Sequence, residues 1–266
     1  DWRFPLRGLR AAAAFLACLG VLALAFLIPL AQLLVWAWRR AGEDLDGRYW
    51  MLLEHTALLG AGAGLLTVAG AVVLAYSRRH CRGRWVRAGV ATATLGYALP
   101  GSVLAVGIMI ALTWMDAALL GAAQALGIDL EVVLRGSLLG LLLAYLVRFL
   151  AVAFGPVDSA LERVRPSLVE AARNLGSGQR EILCRLYLPL LRPGLLTALL
   201  LVMVDVMKEM PATLLLRPFG WDTFALRIFE MTSEGQWERA ALPALTLVLT
   251  GLLPVILLVR RSASSS

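Results

Sequence analysis

Three ionisable residues, Asp205, Lys208 and Glu209, close a long apolar run of the sequence. Lys208 follows Asp205 by three positions and Glu209 follows it by four, and both spacings place side chains on one face of a helix. One interpretation is an Asp205–Lys208 ion pair that neutralises itself, with Glu209 near the outer interface of a membrane. The other is that this face, with a chain break at Pro211, lines a path for a solute, where Asp205 and Glu209 offer transient oxygen ligands to a hard cation.

No other group of residues in the sequence assembles into a catalytic or metal-binding site. His55 and His80 are too few and too far apart for a histidine metal site, and Cys18, Cys81 and Cys184 contain no CxxC pair. No nucleophile stands with a general base, and no GxxxxGK[ST] phosphate loop occurs. We therefore expect neither enzymatic activity, nor nucleotide hydrolysis, nor a bound cofactor in this chain.

The composition is typical of a membrane protein. Hydrophobic residues occupy 60% of the 266 positions, charged residues only 16%, and the mean hydropathy is +0.78. A soluble globular domain is less apolar than this. The net charge of +7 comes from arginines beside apolar runs, with no basic stretch interleaved with aromatic residues elsewhere. Arginines in such places mark cytoplasmic loops, so we do not expect nucleic-acid binding.

Six apolar stretches are long enough, at about twenty residues each, to cross a bilayer core. They are Ala11–Trp36, Thr56–Tyr76, Gly89–Trp114, Ser137–Val157, Gly194–Met210 and Ala240–Val259. Prolines predict kinks in the third span, at Pro100, and in the sixth, at Pro243 and Pro254. The glycines of the segment Gly60–Gly64 offer a smooth face for close helix packing. The sequence thus predicts an all-α integral membrane protein with a single transmembrane domain, residues 1–266.

The arginines set the predicted orientation. Residues 78–87 contain five arginines and no acid, whereas three arginines in residues 39–48 are balanced by three acids. The loop with Asp116, Asp129 and Glu131 is predominantly acidic. Because positive residues favour the cytoplasmic side, we expect both termini in the cytoplasm.

This orientation places the remaining polar segments. Residues 158–193 are expected in the cytoplasm, and residues 217–239 in an extracytoplasmic or re-entrant segment with a short helix around Thr223–Met231. Arg148 is expected toward the cytoplasmic end of the fourth span, where it snorkels or pairs with an acid. Because the chain starts at Asp1 and not at Met, we expect a fragment or a trimmed chain.

A polar island between the fourth and fifth spans is typical of two short helices joined by a tight turn. Pro166 suits a first helical position, Gly176 suits a left-handed cap, and Ser177 can cap the next helix. Pro189 and Pro193 are expected to interrupt that second helix. Small alanines beside an acid let another protein's backbone approach closely, so we interpret the island as a docking surface.

The island contains Glu170-Ala171-Ala172, then Gly176 six residues after the Glu, then Leu186-Tyr187-Leu188-Pro189, and this pattern resembles the cytoplasmic EAA loop of ABC importer permeases. Leu186, where isoleucine is common in the family, is a mild departure. The resemblance implies that Glu170, Ala171, Ala172, Gly176, Leu186 and Pro189 couple the chain to a separate ATPase. The alternative is an interfacial helical hairpin that only links two membrane helices.

Further stretches resemble the ferric-iron branch of these permeases. They are residues 208–219, Asp222-Thr223, Tyr97-Ala98-Leu99-Pro100-Gly101 and Arg148-Phe149-Leu150, and the similarity runs from about residue 50 onward. Members of that branch are commonly double-length. This chain resembles one six-span half, more like the C-terminal one.

The resemblance implies a six-transmembrane-helix ABC importer permease of type I, MetI-like fold, in the bacterial inner membrane. Its implied partners are an ABC ATPase dimer that binds ATP and Mg²⁺, a periplasmic or lipid-anchored substrate-binding protein, a second permease half or copy, and the lipid bilayer. The implied function is import of ferric iron. Alternatives are the same architecture for thiamine, a phosphonate or an anion, and a secondary transporter driven by ions with the charged fifth-span face as its coupling site.

Overall fold

The computed structural model describes residues 6–81, 83–129 and 134–264, and most of them are helical. Within these residues, five helices are long and apolar enough to cross a membrane: Leu9–Asp44, Gly47–Arg79, Gly101–Ala125, Leu138–Glu162 and Cys184–Met207. The sixth predicted span, Ala240–Val259, lies within the helix Trp237–Ser264, where the side chains at 253, 254 and 257–264 are outside the description. The all-α membrane architecture predicted from the composition is confirmed.

The helices are numbered in chain order. Those before the polar island are α1 (Leu9–Leu22), α2 (Ile28–Asp44), α3 (Gly47–His80), α4 (Arg84–Ala93), α5 (Gly101–Ala125) and α6 (Leu138–Glu162). Those of the island and beyond are α7 (Pro166–Asn174), α8 (Gln179–Glu181), α9 (Leu188–Met207), α10 (Pro211–Leu216), α11 (Phe224–Ser233) and α12 (Trp237–Ser264). Two π-helical turns, Ala23–Leu27 and Ile182–Tyr187, join α1 to α2 and α8 to α9 without a break.

The core lies where α3, α6 and α9 pack against one another. Glycines on α3 let α9 approach closely: a Cβ added at Gly60 would lie 3.2 Å from Met203 Cγ, and one added at Gly64 would lie 2.8 Å from Leu199 Cδ1. The predicted packing role of these glycines is confirmed, and their partner helix is α9. Without a hydrophobic driving force between helices in lipid, such close backbone contact is what holds them together.

The third predicted span, Gly89–Trp114, is wrong, because the chain breaks at Pro100 instead of bending there. A 3₁₀ turn, Leu95–Ala98, follows α4, and the membrane-spanning helix is α5. Proline disfavours the helical conformation of the residue before it, and Leu99 is accordingly extended, with φ −85° and ψ 145°. Gly96 lies directly against the backbone of α6, an approach that a Cβ would prevent.

The loop expected at residues 39–48 is reduced to Leu45 and Asp46. The Asp46 side chain accepts a hydrogen bond from Tyr49 N at 2.8 Å and so caps α3. The helices on both sides are therefore longer than the apolar runs that predicted them, because charged residues continue each helix past the bilayer core.

Asp116 is buried in α5 and does not lie in the acidic loop to which we assigned it. Its two carboxylate oxygens accept hydrogen bonds from Leu134 N at 2.9 Å and from Arg135 N at 2.8 Å. The carboxylate thereby fixes the segment that leads into α6, which accounts for a charge within an apolar helix. Of the other two acids assigned to the loop, Asp129 is exposed, and Glu131 lies outside the described residues.

We expect Asp116→Ala to destabilise the protein, because the buried N–H of Leu134 would lose its acceptor at about 1–3 kcal/mol, and the part-buried N–H of Arg135 would add a smaller loss. Thermal unfolding in detergent should then show a midpoint several degrees lower than that of the parent chain. Asp129→Ala removes an exposed acid from the same connection and should leave the midpoint unchanged. Equal midpoints for the two variants would contradict the capping role of Asp116.

Candidate functional site

The polar island forms two short helices joined by a turn, as predicted. Pro166 is the first residue of α7. Gly176 has φ +80°, a conformation that favours glycine, and it ends α7 with a left-handed cap. Gly176 N donates to Arg173 O at 2.9 Å, and Ser177 N donates to Ala172 O at 3.0 Å. The cap satisfies two carbonyls that the helix end would otherwise leave unpaired.

Two expectations for the second half of the island are wrong. The first helical bond there runs from Ile182 N to Gly178 O at 3.0 Å, so Gly178 and not Ser177 occupies the cap position of α8. Pro189 and Pro193 do not interrupt the helix, which continues from the π-helical turn into α9. Pro189 stands in the first turn of α9, where a missing N–H is tolerated.

The surface of the island combines acidic, small and apolar residues with exposed arginines at 165, 173, 180 and 185. Among the predicted coupling residues, those exposed are Glu170, Ala171, Gly176 and Pro189, and those half-buried are Ala172 and Leu186. Leu175, which lies beside the turn, is 86% exposed, and Leu168 on α7 is also exposed. These two leucines lie at opposite ends of α7, and exposed apolar side chains of this kind mark surfaces that contact another protein or a lipid surface.

The base of the island is tied to the end of α3. Arg78 pairs with Asp158 and, at 3.1 Å, with Glu162, both on the last turns of α6. Arg79 donates to two backbone carbonyls between the end of α6 and the start of α7. Part of the arginine cluster that set the predicted orientation therefore also anchors the island to the core bundle.

The three ionisable residues at the end of α9 separate into two ion pairs. Lys208 Nζ lies 2.8 Å from Asp205 Oδ1, which confirms the predicted pair. Glu209 does not share their face, because α9 ends at Met207 and the Glu209 side chain turns inward, where it is 7% exposed. Its partner is Arg148, whose Nε donates to Glu209 Oε2 at 2.9 Å.

Arg148 lies in the middle of α6 and not toward the end that we expected in the cytoplasm. Of the two predicted alternatives, snorkelling and pairing with an acid, the structure shows pairing. Its Nη1 also donates to Leu99 O at 3.4 Å. A Cβ added at Gly101 would lie 2.9 Å from Arg148 Nη2 and 3.1 Å from Glu209 Oε1. The chain is therefore broken at two places that meet at the Arg148–Glu209 ion pair. One break lies at Leu99 and Pro100, before α5, and the other lies between α9 and α10.

The helix that follows the second break is held by polar contacts. Pro211 is the first residue of α10, in agreement with the break expected at that position. Glu209 Oε1 accepts a hydrogen bond from Ala212 N at 3.3 Å. Thr213 Oγ1 lies 2.6 Å from the hydroxyl of Tyr145, and both residues are fully buried. Sequence reasoning missed Tyr145, because nothing in its apolar surroundings marks a polar partner on another helix.

The two ion pairs differ in their access to solvent. Glu209 is closed in by Arg148 and α10, whereas the Lys208 side chain is 66% exposed and that of Asp205 is 15% exposed. Tyr97, in the turn before α5, is half-exposed. The accessible charge at the chain breaks is thus the Lys208 ammonium, not a carboxylate.

A turn with side-chain contacts at its base joins α10 to α11. Arg217 Nε donates to Asp222 Oδ1 at 2.8 Å, and the Trp221 ring stacks on His55 with centroids 4.4 Å apart. Phe219 stands at the tip of this turn and is fully exposed.

The short helix predicted around Thr223–Met231 is confirmed as α11. The Thr223 hydroxyl caps it by accepting from Leu226 N at 3.4 Å. Phe224 is fully buried, and its backbone N–H donates to Thr56 Oγ1 on α3 at 3.0 Å. Because α11 also packs on α12, the segment is a part of the bundle and not a plain connecting loop.

These features define a helical membrane protein with an exposed polar island and broken spans. The chain belongs to the family described as binding-protein-dependent transport system inner membrane components, whose profile matches residues 67–263. Membership of this family confirms that the protein is a multi-pass inner membrane transport component.

Two curated relatives indicate the branches of the family to which the chain is similar. It is 34% identical over 118 residues to the Fe(3+)-transport system permease protein FbpB 2 of Haemophilus influenzae, over 44% of this chain and 23% of the relative. It is 34% identical over 119 residues to the putative 2-aminoethylphosphonate transport system permease protein PhnV of Salmonella typhimurium, over 45% of this chain and 44% of the relative. The matches thus span less than half of each relative's own length.

A solved structure shares the fold. The match is to a chain of a bacterial alginate ABC transporter in complex with alginate pentasaccharide-bound periplasmic protein, with a TM-score of 0.68 and 15% identity. It covers 93% of this chain and 92% of that chain. The ABC importer permease fold implied by the sequence resemblance is confirmed.

We expect Gly176→Ala to loosen the end of α7, because a Cβ disfavours the left-handed conformation by about 1–2 kcal/mol. Hydrogen exchange of the Gly176 and Ser177 amides should accelerate by roughly 5–30-fold, provided that exchange follows local opening. Gly178→Ala is the matched control, because Gly178 has no positive φ and no neighbour that a Cβ would meet. Equal exchange rates in the two variants would contradict the cap.

We expect Glu209→Gln to destabilise the protein strongly, because it leaves the half-buried Arg148 guanidinium without a counter-charge, at a cost approaching the roughly 3–5 kcal/mol of a fully buried pair. Asp205→Asn is the control, since its partner Lys208 is largely exposed and such pairs contribute about 0–1 kcal/mol. Thermal unfolding in detergent should separate the two variants clearly. If Asp205→Asn proves the more damaging change, the assignment of Arg148–Glu209 as the structural pair is wrong.

Proposed function

We propose that the chain is the membrane-spanning permease of an ABC importer that moves ferric iron into the cytoplasm. Its partners would be an ATPase dimer that binds ATP and Mg²⁺, a second permease half or copy, and a periplasmic or lipid-anchored binding protein that delivers the iron. Support comes from membership of the transport family and from similarity to a relative named as an Fe(3+)-transport permease. The chain itself would have no enzymatic activity, since its sequence contains no phosphate loop.

The observation that carries this proposal is the exposed face of the polar island. Glu170 and Ala171 are accessible, and Leu175 beside the turn is almost fully so. We propose that Glu170, Ala171, Ala172, Gly176, Leu186 and Pro189 form the surface that docks into the ATPase. The island and both termini would then lie in the cytoplasm, and the turn with Phe219 on the opposite side.

Two helices connect this docking surface to the chain breaks. The helix α9 leaves the island at Leu188 and ends at Met207, next to the Asp205–Lys208 pair. The helix α6 contains Arg148 and ends at the base of the island. Because α9 is about 30 Å long at 1.5 Å per residue, a displacement of the island by the ATPase would reach the breaks through a rigid element.

We propose that the solute passes the region where the two chain breaks meet. Asp205 and Lys208 would line the path, while Glu209 and Pro211 would hold the break in place. The Asp205 carboxylate is paired with Lys208, and the Glu209 carboxylate is paired with Arg148. Asp205 would therefore bind a ferric ion transiently only if Lys208 moves away. Lys208 is exposed enough to do so without unfolding the bundle.

An anionic solute such as a phosphonate is the second candidate. The similarity to PhnV supports it, and so does the exposed cation at the chain breaks, because an ammonium group attracts an anion and repels bare Fe³⁺. The ion-coupled alternative loses support, because the chain belongs to a family of binding-protein-dependent systems.

The decisive experiment measures ATP hydrolysis by this chain reconstituted in liposomes with its cognate ATPase and binding protein. We expect stimulation of several-fold by the ferric-loaded binding protein over the empty one. Stimulation by a phosphonate-loaded protein alone would retain the importer and reject iron. Transport that proceeds without any ATPase would reject the importer itself.

The same assay tests the docking surface. Glu170→Arg should abolish both co-purification of the ATPase and the stimulation, because it places a bulky cation on a face that a partner backbone approaches. Asp129→Arg makes the same charge change at an exposed site of the α5–α6 connection and should retain ATPase binding. Unchanged ATPase binding by Glu170→Arg would contradict the proposed docking face.

A further inference from the structure

A cavity of about 710 Å³ opens between the end of α3, the helix α4 and the helix α6. Arg78 and Arg87 supply guanidinium groups to its wall, and Val90, Ala91 and Phe154 supply apolar surface. Its volume is within the range of about 300–1,000 Å³ typical of ligand sites. A wall that combines cations with apolar surface suits an amphiphile with an anionic head.

The cations around the cavity are not all neutralised. Arg78 lies over the Phe154 ring and is paired with two acids of α6, Asp158 and Glu162. Arg87 is exposed and forms no ion pair with any residue that the structure describes. Arg84 lies one turn earlier on the same face of α4, so the rim has an excess of positive charge.

The cavity lies at the edge of the bilayer. The apolar run of α3 ends at Tyr76, just before Arg78 and Arg79, and α4 begins at Arg84. Trp85 on α4 is 78% exposed and lies under the guanidinium of Arg84, at 5.4 Å. Tryptophan beside arginine is typical of the headgroup level of a membrane, where an aromatic ring contacts both acyl chains and water.

We propose that this cavity binds an anionic phospholipid, with the phosphate at Arg87 and an acyl chain along Val90, Ala91 and Phe154. The occupant is a lipid and not a soluble anion, because the site combines an unpaired cation with an apolar wall at headgroup level. A lipid held there bridges α4 to α3 and α6, next to the arginines that anchor the polar island. The site is distinct from the path proposed for the transported solute.

The chain contains its own reporter for this site. Cys81 lines the cavity and is a free, exposed thiol, and Cys184 is a free, exposed thiol on the polar island. In a Cys18→Ser, Cys184→Ser background, Cys81 is the one thiol left in the sequence. The rate of its reaction with the uncharged reagent N-ethylmaleimide then measures access to the cavity.

The full chain would be placed in nanodiscs of phosphatidylcholine with increasing fractions of phosphatidylglycerol. We expect phosphatidylglycerol to slow the modification of Cys81 several-fold. Arg87→Gln should require about fivefold more phosphatidylglycerol for the same protection, which corresponds to the effect of roughly one arginine near an anionic surface. Arg10→Gln, an exposed arginine that does not line the cavity, should behave like the parent chain.

Three results would overturn the proposal. One is a Cys81 rate that does not depend on phosphatidylglycerol. Another is equal protection by inorganic phosphate in pure phosphatidylcholine, which would indicate a free-anion site. The third is equal slowing at Cys184 in a Cys18→Ser, Cys81→Ser background, which would indicate a general membrane effect.

If Arg87→Gln lowers the unfolding midpoint, Arg87→Lys replaces it and should retain most of the protection. None of these outcomes depends on ATPase stimulation, so they leave the transport assay as an independent test.

Discussion

The buried ion pair between Arg148 and Glu209 is the interaction on which the shape of the bundle depends. A guanidinium in the middle of α6 cannot stay in an apolar interior without a counter-charge. Glu209 reaches it only because α9 ends at Met207, and the guanidinium reaches Leu99 only because the chain is extended before Pro100. The broken spans are therefore not local irregularities but the geometry that satisfies one buried charge.

Local signals in the sequence predicted the features that depend on near neighbours. The Asp205–Lys208 pair, the left-handed turn at Gly176 and the capped helix after Thr223 all follow from residues within a few positions of each other. Apolar length predicted six spans, of which the described residues show five candidates. The break at Pro100 was mistaken for a kink, because a proline fixes its own φ and restricts the residue before it but does not determine how far the chain then turns.

Features that depend on distant parts of the chain could not be predicted in this way. The partner of Glu209 is 61 positions away, and the backbone groups held by Asp116 are 18 and 19 positions away. Sequence spacing contains no information about such contacts, so each acid was assigned to a helix face or a loop by its nearest neighbours alone. For Glu209, the requirement that a charge in an apolar segment must find a partner identified the residue as important but not its partner. Asp116 was assigned to a loop, so its structural role was missed.

The length of α3 has a consequence for how the protein sits in lipid. Its 34 residues extend about 51 Å, whereas the hydrocarbon core is about 30 Å thick. Both ends therefore stand in water or among headgroups: Asp46 and Arg48 at one end, Arg78 and Arg79 at the other. In a thicker or thinner bilayer, a smaller or larger part of the two helix ends would lie outside the hydrocarbon core. The glycine contacts between α3 and α9 would not change. For α3, a change in bilayer thickness therefore alters how much of the helix ends is hydrated, and not its packing against α9.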